Sequence, residues 1–272
     1  MYTAPQAPQS IGGVIDGSIE LFKASFRSCW LASLVYAAAG GAIGTWIQMR
    51  TMAMLGTASP TANPLDVLRV YQTPAYGIGS LLILLLTLLF NLMLIATIVD
   101  VARGREGGNA LSRAGTVLAW LPGVVIATIL VAVACGVGLM LLVVPGLYLL
   151  VRWSVWFVAR ADERRGAFAA LGTSWRLVGG NWWRVSVVLF VAFVVVFVLT
   201  MLFGFFGGLL AGIFRADLVT TVLLTQVAGA IGQVLYLPAI SAALVAVYLD
   251  LKLRKDGVDL EARIGSLGAA QG

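Results

Sequence analysis

Apolar runs long enough to cross a lipid bilayer recur along this sequence, and they leave room for little else. A hydrocarbon core of about 30 Å takes about 20 helical residues to cross, and stretches near that length fall at 29–49, 77–101, 118–142, 146–161, 185–213 and 219–249. Of its 272 residues 60% are hydrophobic and only 11% charged, so lipid rather than water is the solvent this chain is built for. The pattern predicts an all-α, polytopic transmembrane bundle of about six spans. The fourth run is the shortest and carries Arg152 within it.

Six spans sort the charges. Lys23 and Arg27 precede the first span, and Arg103, Arg105 and Arg113 lie between the second and third. Arg152, Arg160, Arg164, Arg165, Arg176 and Arg184 fall in or after the fourth, and Lys252, Arg254, Lys255 and Arg263 follow the sixth. Of the eighteen Lys and Arg residues only Arg50, Arg69 and Arg215 are left for the opposite side. Basic residues at span ends are retained in the cytoplasm, so both termini are expected there. The net charge of +6 flanks membrane spans, which suits anionic headgroups on the cytoplasmic face and not a nucleic acid. Membrane lipids are therefore the expected partners, with a membrane protein or a second copy of the chain as the other class. The first ten residues have no basic stretch leading into an apolar one, so no cleaved signal peptide is expected. Residues 1–10 read as a disordered tail, 11–256 as a single six-span membrane domain and 257–272 as a flexible cytoplasmic tail. Cys29 and Cys135 fall at different depths and read as free packing residues.

Related sequences return at the span boundaries. Ser18 to Phe26 (SIELFKASF) resembles Ser174 to Trp182 (SWRLVGGNW), with a weaker copy from Ala110 to Trp120. The exits Val101-Ala102-Arg103-Gly104-Arg105 and Val158-Ala159-Arg160-Ala161-Asp162 are also alike, and Asp100 and Asp250 each precede a basic cluster. These matches predict three parallel hairpin-like repeats over 11–106, 108–165 and 166–256, each opened by a cytoplasmic interfacial amphipathic helix. In the first, Ile11, Ile15, Ile19, Phe22 and Phe26 form one stripe, while Asp16, Glu20, Lys23 and Arg27 fill another face. Trp30, Trp175, Trp182 and Trp183 are the expected interfacial anchors. Such helices either recognise lipid or pack on the underside of the bundle; packing is the simpler reading.

Glycines four apart, Gly40 with Gly44 and Gly204 with Gly208 and Gly212, predict close helix packing. Val144-Pro145-Gly146 reads as the outer turn between spans three and four. Arg152 then lies about 9 Å below that turn, and a charge at such depth calls for a partner, a cavity or a headgroup. Gln226, Gln233 and Asn91 are the polar residues that could line an interior with it. The plainer alternative is that Arg152 snorkels outward and the amides bond between helices. Asp100, Arg103, Arg160 and Asp250 form a second candidate group, a charge cluster at the cytoplasmic rim.

The chain has no His and only twelve carboxylates, so a His-based triad and ordinary His or Cys metal sites have no residues to build them. No phosphate-binding glycine motif stands in a strand-to-helix context. These features argue against an enzyme and call for no cofactor or metal. Val144-Pro145-Gly146-Leu147-Tyr148 followed by Arg152-Trp153, the Ser174-Trp175-Arg176-Leu177 and Asn181-Trp182 pairs, and the tract from Tyr248 to Glu261 (YLDLKLRKDGVDLE) resemble the membrane domain of bacterial glycerophosphoryl diester phosphodiesterases. The resemblance spans nearly the whole chain and implies a bundle in the bacterial cytoplasmic (inner) membrane. Only a short polar segment follows the sixth span, so the family's soluble hydrolase activity is not implied. The expected function is a non-catalytic membrane protein that interacts with lipid or organises envelope partners. The alternative is a transporter or lipid-translocating protein with a polar cavity around Arg152.

Overall fold

In the computed structural model, which describes residues 2–56, 72–105 and 108–269 (side chains at 54–56 and 258–269 excepted), the chain is helical from Ile11 onward, without a strand among those residues. Arg69 and the side chain of Arg263 lie outside the described set. The helices are α1 (Ile11–Gly56), α2 (Pro74–Ala102), α3 (Ala114–Leu141) preceded by a 3₁₀ turn (Ala110–Arg113), α4 (Val143–Arg152), α5 (Trp156–Glu163), α6 (Ala167–Val178), α7 (Trp182–Ile213) and α8 (Leu218–Ala269). Six segments are long and apolar enough to cross a membrane: 11–53, 74–102, 110–141, 143–163, 182–213 and 218–257. The chain thus has the build of an integral membrane protein.

The packing centres on α8, whose most extensive partners are α1 and α7, and α1 also packs along α2. Buried residues concentrate in the last turns of α2 (Leu92 to Val99) and in α8 from Ala242 to Leu251. These are the ends that carry the charges, and we call this the charged end of the molecule.

Several expectations about local structure are corrected. The predicted interfacial helix is not separate: α1 runs unbroken for 46 residues, about 70 Å, through the boundary expected near residue 28. Its buried face is Val14, Leu21, Ser25, Cys29, Ala32 and Ser33, whereas Ile11 and Ile19 are exposed and Ile15, Phe22 and Phe26 half-buried. Small side chains let helices approach closely and large apolar ones are at no cost against lipid, so in a membrane the bulkiest stripe need not face the core. The related segment Ser174 to Trp182 behaves differently, because Gly180 takes φ 83° and ends α6 before α7 begins. A side chain rarely adopts that conformation, and the corresponding position in α1 is Ala24.

The turn between α3 and α4 is at Leu142, which is extended (φ −160°, ψ 143°), and Pro145 lies inside the first turn of α4. Proline is tolerated there because its missing N–H has no intrahelical partner to lose. The fourth apolar segment is not one helix: α4 stops at Arg152 and α5 starts at Trp156. Gly204, Gly208 and Gly212 of the predicted packing strip face open space. The close approach is instead at Gly207, where a methyl group would stand 2.8 Å from the Thr225 Cα of α8. Residues 257–269 continue α8 as helix to Ala269. At the other terminus the Gln9 backbone is tied to α8 by hydrogen bonds.

Candidate functional site

Three aspartates organise the charged end. Asp100, in the last turn of α2, pairs with Arg113 at the entry to α3 (2.6 Å) and with Arg105 (3.2 Å). Asp162 of α5 takes a two-pronged contact from Arg103 (Nε 3.1 Å, Nη2 2.8 Å), a bond from Lys252 (3.0 Å) and one from the Tyr248 hydroxyl (3.0 Å). The carboxylate raises the already high Arg103 pKa further, through its hydrogen bond first. Asp250 of α8 accepts from Arg184 at the start of α7 (3.0 Å), from Arg254 one turn on (3.0 Å) and from the Gln9 backbone N–H ahead of α1 (2.8 Å). Arg184 and Arg254 also converge on the Gln9 carbonyl. Each carboxylate therefore fastens one segment's exit to the entry or exit of another.

The rim cluster predicted from sequence (Asp100, Arg103, Arg160, Asp250) is thus three separate knots. Arg103 belongs to Asp162, not to Asp100. Arg160 belongs to none: it is 8% exposed, its guanidinium lies 4.1 Å from the Trp120 ring centroid, and its Nη1 has no hydrogen-bond partner. Sequence reasoning missed Asp162, Arg184, Lys252 and Tyr248 as partners. The one local signal was the i, i+4 spacing of Asp250 and Arg254.

Arg152 does not join the amides expected beside it. Its Nη1 donates to the Trp175 carbonyl (2.8 Å), and its guanidinium covers the rings of Trp175 (4.3 Å) and Tyr148 (5.4 Å). The Ser174 hydroxyl donates to the Arg152 carbonyl (2.9 Å) and the Trp182 indole N–H to the Tyr148 carbonyl (3.2 Å). Tyr148 stacks on Trp182, and Trp153 leans on Trp175. Trp182 is two residues from Arg184, so this aromatic shelf belongs to the charged end. Arg152 is therefore not at mid-depth, because α4 folds back onto α6 and the start of α7. Trp175 and Trp182 serve the shelf, Trp183 packs edge-on against Trp182 while staying largely exposed, and Trp30 is exposed on α1.

The intramembrane polar residues are placed apart from Arg152 and from one another. The Asn91 amide donates to the Thr87 carbonyl one turn back (3.0 Å), and the Thr87 hydroxyl shares a 3.0 Å hydrogen bond with Tyr36 of α1. Gln226 faces Gly44 of α1, its Nε2 3.3 Å from where a glycine methyl would stand. Gln233 is on the same helix, half-buried. Among the described residues no hydrogen bond links Arg152 to any of the three. The groove between α1, α7 and α8 is about 180 Å³ and is walled by apolar groups such as Ile15, Phe22, Val195 and Ile240. Cys29 and Cys135 are free and buried.

Comparison with protein-family models, curated proteins and solved structures finds no match for this chain.

Proposed function

We propose that this chain is a non-catalytic integral membrane protein of a bacterial cytoplasmic membrane, with its charged end in the cytoplasm, that binds lipid headgroups there. The observation that carries this reading is Arg152: it is held over Trp175 and Tyr148 with no carboxylate partner among the described residues. Aromatic rings and a cation at one level suit the bilayer interface, where ring bodies sit among acyl chains and the charge meets phosphates. The non-catalytic part of the reading is supported by the three aspartates of the charged end, each consumed by two or more cations or donors. The resemblance to phosphodiesterase membrane domains and the three-hairpin repeat belong to this proposal. In its favour, Asp100, Asp162 and Asp250 occur at corresponding exits. The translocation alternative has less support, because Arg152 and the amides Asn91, Gln226 and Gln233 lie apart.

Native mass spectrometry of the protein extracted with its own lipids tests the proposal. A lipid retained by the wild type and lost from Arg152→Ala is the expected result. Equal, unselective retention in both would sink it and turn the search to protein partners.

A further inference from the structure

A cavity of about 280 Å³ opens at the charged end between the close of α2, the entry to α3 and the end of α5. Its walls include Ala96 and Asp100, Arg113, Trp120, Ala161 and Arg164. Two guanidiniums are left incomplete, one in this wall and one behind it. Arg113 spends Nη2 on Asp100, but its buried Nε has no partner. Arg160, behind the Trp120 face, is more than nine-tenths buried, and its Nη1 has no partner either. Arg164 is exposed at the mouth, held by a left-handed backbone (φ 52°) that ends α5. Asp100 is the carboxylate in the wall, and Arg105 and Arg113 already neutralise it.

A buried cation without a counter-charge is costly, and a buried donor left unmade costs again. Cavity chemistry follows from that. Guanidinium forks match the oxygens of a phosphate group, and Trp120 gives the adjoining carbon chain an apolar wall. The volume is at the small end for ligand pockets, which suits a phosphate or a compact phosphoryl headgroup and excludes an extended cofactor.

We infer that this cavity is an anion site for a phosphate group, carried by Arg113 and Arg164 in its wall with the charge of Arg160 behind Trp120, and separate from the Arg152 shelf. The phosphate is either free in solution or the headgroup of an anionic lipid, and both present the same oxygens.

The test uses the purified full chain in neutral detergent, with thermal unfolding followed by tryptophan emission. Inorganic phosphate is titrated against chloride at constant ionic strength, and in parallel the chain is placed in phosphatidylcholine nanodiscs with and without phosphatidylglycerol. The expected result is a saturable rise in melting temperature with at least one of the two. Arg164→Asn, which tolerates the left-handed backbone and removes a cation from the wall, should weaken the apparent affinity on the order of tenfold, and Arg160→Met, which removes the charge behind Trp120, several-fold. Phosphate acting alone identifies a free phosphate or phosphate ester; phosphatidylglycerol acting alone identifies a lipid headgroup. Absence of a saturable effect with either, or wild-type affinity in Arg164→Asn, overturns the inference. Arg164 is exposed, so Arg164→Asn keeps the fold and decides even should Arg160→Met lose its cooperative transition. Arg152→Ala should keep the full response, so failure of the headgroup proposal above and failure of this one are told apart.

Discussion

Asp162 is the residue on which most of the charged end depends. Its carboxylate holds Arg103 at the end of α2 and both Tyr248 and Lys252 of α8. Its side chain is 6% exposed, against 35% for Arg103 and 33% for Lys252. Breaking a buried pair by removing one partner costs about 3–5 kcal/mol. Asp162→Asn should fall near the low end, about 3 kcal/mol, because both cations can turn to solvent. Chemical unfolding in mixed micelles checks this; a loss under about 1 kcal/mol would mean that the contact belongs with exposed pairs. Little of this residue's role was legible in the sequence. Asp162 occurs in a short run of mixed charges, Arg160 to Arg165, and its partners are 59, 86 and 90 positions away. The chemistry of Arg152 was legible and its surroundings were not, because depth was counted along a straight span that the α4–α5 break does not allow.

Helix contacts depend on which glycine faces the neighbour. Gly207→Ala should push its methyl into the Thr225 backbone of α8 at 2.8 Å and cost about 1–3 kcal/mol. Gly204→Ala and Gly208→Ala, with nothing within 4 Å, should be neutral in the same unfolding assay. Equal effects at all three positions would refute the packing register. The sequence showed a four-residue glycine period but could not say which phase met α8, since polyvaline and polyphenylalanine surfaces on either side are equally at home in lipid. At the start of α8 the signal is plainer. Asp217 caps the helix, its carboxylate accepting from the Thr220 N–H (3.1 Å), and bonds to Thr220 hold its pKa below the ordinary carboxylate value. A depressed pKa means the ionised carboxylate stabilises the helix above the ordinary carboxylate range, and that support is lost as pH falls through the lowered value. Asp217→Ala should therefore speed amide exchange at Leu218–Thr221 at neutral pH, Asp217→Asn should not, and the difference between wild type and Asp217→Ala should shrink in acid. Exchange unchanged in Asp217→Ala would show that the cap is without consequence.

At the scale of the whole molecule, the run lengths and the bias of basic residues were enough to read six apolar crossings and one charged end. Apolar length and charge position are local properties, and the bilayer acts on them directly. Closure of the assembly was not readable, because it rests on a backbone group: the Gln9 N–H meets Asp250, and the Gln9 carbonyl gathers Arg184 and Arg254. Those bonds bring the segment before α1 beside α8 near residue 250. The N-terminus and the polar part of α8 must then share one side of the membrane, whichever side that is. Arg215, between α7 and α8, lies at the far end of both helices. The native cysteines are buried, so single cysteines can be introduced for labelling with an impermeant maleimide. In intact cells Thr3→Cys and Asp256→Cys should both be protected and Arg215→Cys labelled, and the pattern should invert in inside-out vesicles. Labelling of Thr3→Cys and Asp256→Cys together, with Arg215→Cys protected, would keep the fold and reverse its orientation. Opposite behaviour of Thr3→Cys and Asp256→Cys would contradict the Gln9–Asp250 closure itself, since residues joined at 2.8 Å cannot be on opposite sides of a bilayer.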